Sequence, residues 1–269
     1  MYIDEITSVK NPKIKNLLLL EEKSKARREQ KLFVVEGRRE TLNCLAGGYI
    51  PIEVFFLIEK YSESDLEEIF HEDIVRACAH FFQVDKKLYA KLAYRGSTEG
   101  IVAVFKSKDN TLADLKLPEN PLVLVLEGVE KPGNLGAVIR TAEAAACDAV
   151  IFCDVKTDIY NPNLIRSSIG GIFNISFAVS TTNEAISWLK EHNINILTAQ
   201  LQNSELYYET DMKVATAIVI GTEDKGLTDN WRKASDKKIH IPMNGQLDSL
   251  NVSVSAAILC YEAVRQRYL

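Results

Sequence analysis

The sequence predicts an α/β protein: a C-terminal domain on a mostly parallel sheet, preceded by a smaller α/β domain. Three observations carry this expectation. The second half holds continuous apolar runs, "LVLVLEGV" (122–129), "AVIFC" (149–153), "NILTAQ" (195–200), "TAIVIG" (216–221) and "KIHIPM" (238–243), the pattern of strands covered on both faces. Helical stretches alternate with them, among them "TNEAISWLKEH" (182–192) and the terminal "VSVSAAILCYEAVRQRYL" (252–269). Such alternation implies crossover connections and parallel pairing. Between the halves, "KDNTLADLKLPENP" (108–121) is polar, holds Pro118 and Pro121 and has no clear period, so it reads as a linker. The expected organisation is a domain at 1–107, a linker at 108–120 and a second domain at 121–269.

The first domain reads as follows. "KLFVVEG" (31–37) is a short buried strand ending in glycine, and "RRETLNCLAGG" (38–48) a helix stopped at Gly47 and Gly48. "IEVFFLIE" (52–59) is a strand, and "SDLEEIFHED" (64–73) a helix with Ser64 as its N-cap. "DKKLYAKLAY" (85–94) is a third helix. The turn-like "RGSTEG" (95–100) then leads into the strand "GIVAVFKS" (100–107). Strand–helix–strand alternation makes this a small layered α/β domain.

Composition sets outer bounds. The chain is 46% hydrophobic and 26% charged, ordinary for a globular protein. No stretch approaches the ~20 apolar residues of a membrane span, and "MYIDEITSVKNPKIK" at the start lacks the apolar core of a signal peptide. Cys44, Cys78, Cys147, Cys153 and Cys260 are scattered without a CxxC pair. A reducing, cytoplasmic setting is expected, with neither a disulfide framework nor a metal site. Net charge is −5, yet Lys10, Lys13, Lys15, Lys23, Lys25, Arg27, Arg28, Lys31, Arg38 and Arg39 face only Glu21, Glu22, Glu29 and Glu36 over residues 10–39. A basic stretch on an acidic body suits a polyanion contact; a solvated helix with mixed-sign pairs reads equally well.

The segment "VEKPGNLGAVIRTAEAAACDAVIF" (129–152) follows an apolar run and turns into a helix, as a dinucleotide site would. Its glycines, Gly128, Gly133 and Gly136, do not have the G-x-G-x-x-G spacing, and no G-x-x-x-x-G-K-[ST] occurs. The turn carries Asn134 and Arg140 instead, read on their own as an N-cap and a surface residue. Two later segments bear on this. "IVIGTEDKGLTDNW" (218–231) ends a strand at Gly221 and enters a polar loop with Glu223 and Gly226. "IPMNGQLDSLNVSVSAAILCYEAVRQR" (241–267) crowds Ser249, Asn251, Ser253 and Ser255 at a helix start. Glu223 could be a first-turn acid, and Ser249 and Asn251 could be caps. Asn and Ser are mediocre helix formers, so several in one turn suggest a task besides stability.

"PGNLGAVIRTA", "IGTEDKGL" and "IPMNGQLDSLNVSVSAA", in this order and spacing, resemble the three motifs of the SpoU (TrmH) family of RNA ribose 2′-O-methyltransferases, close to its 23S rRNA guanosine subgroup. "ITSVKNPKIKNL", "FVVEGRRE", "RGSTEGIVAV" and "YNPNLIRSSIGGIF" also resemble that family, so nearly the whole chain is covered. The resemblance implies an N-terminal substrate-binding domain of the ribosomal L30e type and a C-terminal SPOUT domain whose chain end threads a loop as a trefoil knot. It implies a homodimer through the knotted domain, with each active site near the interface, and no metal. S-adenosyl-L-methionine would be held mainly by backbone groups, which carry over onto Gly221, Ile241 and Leu250, with Gln200, Met243 and Ser249 beside them. The catalytic group would be Asn134, Arg140, Glu223, Ser249 and Asn251. Two departures stand out: Asp224 and Cys147 occupy positions where glycine is common. Asp tolerates left-handed geometry, and Cys147 is expected to alter packing.

The reaction implied is methyl transfer to a ribose 2′-oxygen. Alignment of an in-line attack can contribute about 7–11 kcal/mol. The family's arginine falls on Arg140 and is sometimes assigned as a base. Deprotonating a free guanidinium near neutral pH costs at least ~7 kcal/mol, and general-base catalysis returns only ~10²–10⁴-fold. A cation that stabilises the developing alkoxide or grips a phosphate is the less costly role, with the base role left open. Lys10, Lys13, Lys15, Arg38 and Arg95 are the expected RNA contacts. Ribosomal RNA is the expected substrate. A tRNA, a nucleotide in an antibiotic-binding site, or a non-catalytic role in RNA binding or ribosome assembly are the alternatives.

Overall fold

Every apolar run singled out above forms a strand in the computed structural model, which describes residues 2–71, 78–93, 99–246 and 249–268. In chain order the first elements are β1 (Ile3–Ile6), α1 (Pro12–Glu22), α2 (Ser24–Gln30), β2 (Leu32–Glu36), α3 (Arg38–Ala46), β3 (Pro51–Leu57), α4 (Glu63–Ile69), β4 (His80–Val84), α5 (Lys86–Leu92) and β5 (Ile101–Lys106). There follow β6 (Leu122–Glu127), α6 (Pro132–Ala144), β7 (Ala149–Cys153), α7 (Pro162–Ser167), β8 (Phe177–Ser180), α8 (Thr182–Glu191) and β9 (Asn195–Ala199). The chain ends with β10 (Glu205–Leu206), β11 (Thr216–Ile220), α9 (Asp229–Ala234), β12 (Lys237–His240) and α10 (Val252–Tyr268).

The chain divides into two compact units, Met1–Asp109 with Asp158–Asn174, and Asn110–Thr157 with Ile175–Leu269. This differs from the expected division at 107 and 121 in two ways. Residues 158–174, expected in the C-terminal domain, belong to the first unit. Tyr160 stacks on Phe33 with ring centroids 4.4 Å apart, Phe173 lies 5.8 Å from the same ring, and Arg27 pairs with Asp158 at 2.5 Å. The expected linker, for its part, is largely built into the second unit. Leu112, Leu115 and Leu117 pack against its core, and the Val179 amide donates to the Asn110 carbonyl at 2.9 Å. Three leucines hidden in a polar stretch were enough to anchor it.

The first unit holds a five-stranded mixed sheet in the order β1-β4-β3-β5-β2, in which β5 runs antiparallel to β2 and β3. Strands β1 (IDEI) and β4 (HFFQV) are additions to the strands expected from the sequence. Ile14, Leu17 and Leu20 of α1 and Leu88 and Leu92 of α5 bury against Phe55, Phe82, Val102 and Val104 on one face. Helix α4 begins two residues earlier than expected. Its N-cap is Ser62, not Ser64, because Asp65 at the third position completes a reciprocal capping box.

The second unit holds a seven-stranded sheet, order β10-β12-β9-β11-β6-β7-β8, in which every pairing is parallel. Alternation along β6, β7 and β11 sends Val123, Val125, Ile151, Ala217 and Val219 to a face covered by Ala185 and Leu189 of α8 and Trp231 of α9. On the opposite face α6 and α10 pack against each other and against the sheet. Cys147 follows α6 and lies buried with its sulfur 3.9 Å from that of Cys260 on α10, a packing contact of the kind expected for this departure. All five cysteines are free. No helix among the described residues is long and apolar enough to cross a membrane.

Candidate active site

In a parallel sheet, loops at the C-terminal strand ends gather at one edge. Three of them place motif residues together. After β6 the chain enters α6 through Lys131 as N-cap and Pro132 in the first turn, so Asn134 lies inside the helix and is not its cap. After β11 it turns through Gly221–Gly226. Before α10, Asn251 accepts from the Ser253 amide at 3.0 Å and the Ser253 hydroxyl at 2.6 Å, as a capping residue does.

Glu223 joins these loops. Its Oε1 accepts from Asn251 Nδ2 at 2.7 Å, Asn134 Nδ2 at 3.0 Å and the Val252 amide at 3.3 Å. Asn251 Nδ2 also reaches Asn134 Oδ1 at 3.5 Å, and Lys131 Nζ stands 3.8 Å from Glu223 Oε2. One carboxylate thus holds two carboxamides from segments far apart in sequence, near the positive end of α10. Glu223 is therefore a loop residue and not a first-turn acid. Its side chain is 34% exposed, so the cluster is open to a substrate.

Beside the cluster lies a cleft of about 310 Å³, within the range of small-molecule sites. All five expected cofactor residues line it (Gln200, Gly221, Ile241, Met243 and Leu250), as do Ser249 and Glu223. Close approach shapes this cleft. A Cβ on Gly221 would lie 2.3 Å from the backbone of Gly226, and Gly226 itself has φ +66°. Neither position accepts a side chain without moving the loop. Asp224 follows Glu223, and hydrogen bonding to Thr222 holds its carboxyl below the usual range. Arg232 and His240, which no sequence pattern singles out, also line the cleft, and His240 Nδ1 lies 3.0 Å from Ser204 Oγ. Both sit outside the three motifs, at a helix and a strand end whose approach to the cleft depends on long-range pairing.

Arg140 is not brought into this cluster. It lies six residues beyond Asn134 on α6, exposed, and its side chain has no hydrogen bond or ion pair among the described residues. Of the expected RNA contacts, Lys10 and Lys15 are exposed and have no ion-pair partner among the described residues. Lys13 pairs with Glu53 at 2.5 Å and Arg38 with Glu68 at 2.8 Å. Arg95 lies outside the described residues. Arg27 leaves the basic surface altogether, being 3% exposed and paired internally. A separate cavity of about 440 Å³ lies in the first unit, lined by Glu21, Glu36, Arg39, Glu40 and Arg166 among others. Burial, then the neighbouring Glu36, pushes the Glu21 carboxyl up to about 8. This cavity contains no residue of the three methyltransferase motifs, but Glu36, Arg39, Glu40, Glu99 and Arg166 belong to the other segments that carry the family resemblance. Among the described residues no group of three or more His, Cys, Asp or Glu is arranged to hold a metal ion.

Residues 121–261 match the SpoU rRNA Methylase family, and residues 11–103 match the MRM3-like substrate binding domain. The chain is 30% identical to 23S rRNA (guanosine(2553)-2'-O)-methyltransferase RlmP of Bacillus subtilis over 257 residues, covering 96% of this chain and 98% of that protein. A solved RNA 2'-O ribose methyltransferase is 35% identical, with TM-score 0.81, over 98% of this chain and 100% of the other. An AdoMet-bound rRNA methyltransferase from Sinorhizobium meliloti is 26% identical, with TM-score 0.90, over 99% of both chains.

Proposed function

We propose that this chain, which belongs to the SpoU rRNA methylase family, transfers a methyl group from S-adenosyl-L-methionine to a ribose 2′-hydroxyl of RNA, with 23S rRNA as substrate. The observation that carries this reading is the meeting of Asn134, Glu223 and Asn251 beside a cleft walled by Gly221, Ile241 and Leu250. The cleft fits the cofactor. Its apolar lining, with Ile220, Leu227, Ile239 and Leu259, suits a purine, and its strand-end loops offer backbone groups. Gln200, Gly221, Ile241, Met243 and Leu250 would hold it. When bound, the cofactor supplies a methyl group already activated on a sulfonium centre.

The chain's own residues then have distinct tasks. Glu223 is a positioning residue: its Oε1 already accepts three donors, so it fixes the two asparagine amides. Asn134 and Asn251 orient the ribose, with Ser249 at the rim of the cleft. Arg140, whose guanidinium has no partner among the described residues, offers it to a developing alkoxide or an adjoining phosphate. Labelled S-adenosyl-L-methionine incubated with total rRNA and, separately, total tRNA from cells lacking the protein tests the reading. Label in rRNA supports it; label only in tRNA keeps the chemistry and rejects the substrate; no label in either rejects both.

RNA recognition is assigned to the first unit, through Lys10 and Lys15 foremost. Reversing both charges is expected to weaken RNA binding and to lower the slope of log K against log salt by roughly 0.7–0.9 per lost contact. Filter binding across a salt series reads this, and an unchanged slope removes these lysines from the interface. We assign a homodimer to α10, on which Val254, Tyr261 and Tyr268 are 45%, 50% and 73% exposed at seven-residue spacing, one apolar stripe along a helix. Tyr261→Glu is expected to shift sedimentation from dimer to monomer; a wild-type monomer at micromolar concentration contradicts the assignment. The trefoil knot and a cytoplasmic location complete the proposal. Recovery in the membrane fraction of lysed cells would oppose the location.

A further inference from the structure

We infer that Arg232 binds the carboxylate at the amino-acid end of S-adenosyl-L-methionine, an inference that rests on the function proposed above. Among charged side chains lining the cleft, Glu223 is committed to the asparagine amides, and Asp224 carries the wrong sign for an anion. Lys225 sits exposed in the loop. Arg232 is the cation with a rigid seat. It lies on α9 next to Trp231, which is fully buried, and its side chain remains 38% exposed. Its place beside the loop is close: a Cβ on Gly226 would stand 3.9 Å from Nη2.

The guanidinium is poorly satisfied within the chain. Among the described residues Nε is buried without a hydrogen-bond partner, and the single ion pair, Nη1 to Asp229 Oδ1, spans 3.5 Å to a side chain 76% exposed. An arginine presents five donors in a fixed fork that matches a carboxylate. The carboxylate is the single anionic group of the proposed cofactor, and native structures rarely leave buried donors unmatched without a use. Arg232 would thus make the cleft prefer the complete cofactor over its nucleoside part.

Calorimetry with S-adenosylhomocysteine and 5′-methylthioadenosine, which share the nucleoside and thioether but differ in the amino-acid end, tests this. Arg232→Gln is expected to weaken S-adenosylhomocysteine about ten- to hundred-fold, the size of a charge-assisted contact, and 5′-methylthioadenosine less than about two-fold on the same scale. Arg232→Lys should recover part of the loss, and it carries the comparison if Arg232→Gln does not fold. Equal loss for both ligands, or no loss for S-adenosylhomocysteine, overturns the inference. A wild-type protein that binds neither overturns the methyltransferase reading itself, and the inference with it.

Discussion

Arg140→Ala is expected to lower the rate of methyl transfer by about 10²–10³-fold, the loss that follows removal of one donor to a developing oxyanion. Cofactor affinity should stay within about two-fold, since Arg140 does not line the cleft. Stability should move by no more than about 0.5 kcal/mol, because the side chain is exposed and makes no internal hydrogen bond or ion pair among the described residues. Single-turnover transfer with saturating labelled cofactor measures the chemical step apart from binding. Arg140→Lys refines the result: partial activity indicates that charge is what matters, while activity as low as the alanine variant indicates that the planar fork is needed. A rate within two-fold of wild type for Arg140→Ala would remove the residue from the mechanism.

The second large effect concerns stability. Arg27 is 3% exposed, with Nε 2.5 Å from Asp158 Oδ2 and Nη1 donating to the carbonyls of Leu20 at 2.5 Å and Glu21 at 3.0 Å. Removing one partner strands the other as a buried charge. Asp158→Ala is therefore expected to cost about 3–5 kcal/mol, a large part of the ~5–15 kcal/mol that holds a typical domain. The double substitution Arg27→Met with Asp158→Leu leaves no stranded charge and should recover most of the loss. Urea unfolding of the three proteins decides the matter, and a loss below about 1 kcal/mol for Asp158→Ala would show that water reaches the pair.

How much of this was legible in the sequence depends on the range of the interaction. Strands β6, β7 and β11 were plain because continuous apolar runs report two-sided burial without reference to any partner. The three polar segments were visible as unusual, and their family resemblance named the residues. What drew Asn134, Glu223 and Asn251 together was not visible, because it depends on three strand ends lying at one edge of a sheet. Local rules misled where tertiary contacts outweighed them. Asn134 is a frequent cap residue, yet Lys131 before Pro132 takes the cap. Arg27 stood among ten basic residues, and nothing in that stretch marks it as the buried one, since its partner lies 131 positions away. The polar sequence 108–120 concealed three leucines whose spacing is too irregular to read as a helix or strand.

The return of residues 158–174 to the first unit has a consequence for how the protein is made. Chain growth at the ribosome delivers β1 through β5 well before Asp158, Tyr160 and Phe173 are synthesised. Until they emerge, Phe33 lacks two of its stacking neighbours and Arg27 its carboxylate. The first unit therefore cannot be finished when its own five strands have left the exit tunnel; completion waits for β6, α6 and β7 to follow. The nascent chain carries an exposed aromatic surface through that interval. A recombinant fragment cut at residue 107 would keep that surface permanently, and the nearest self-sufficient version of the unit would need 158–174 grafted back by a short connection.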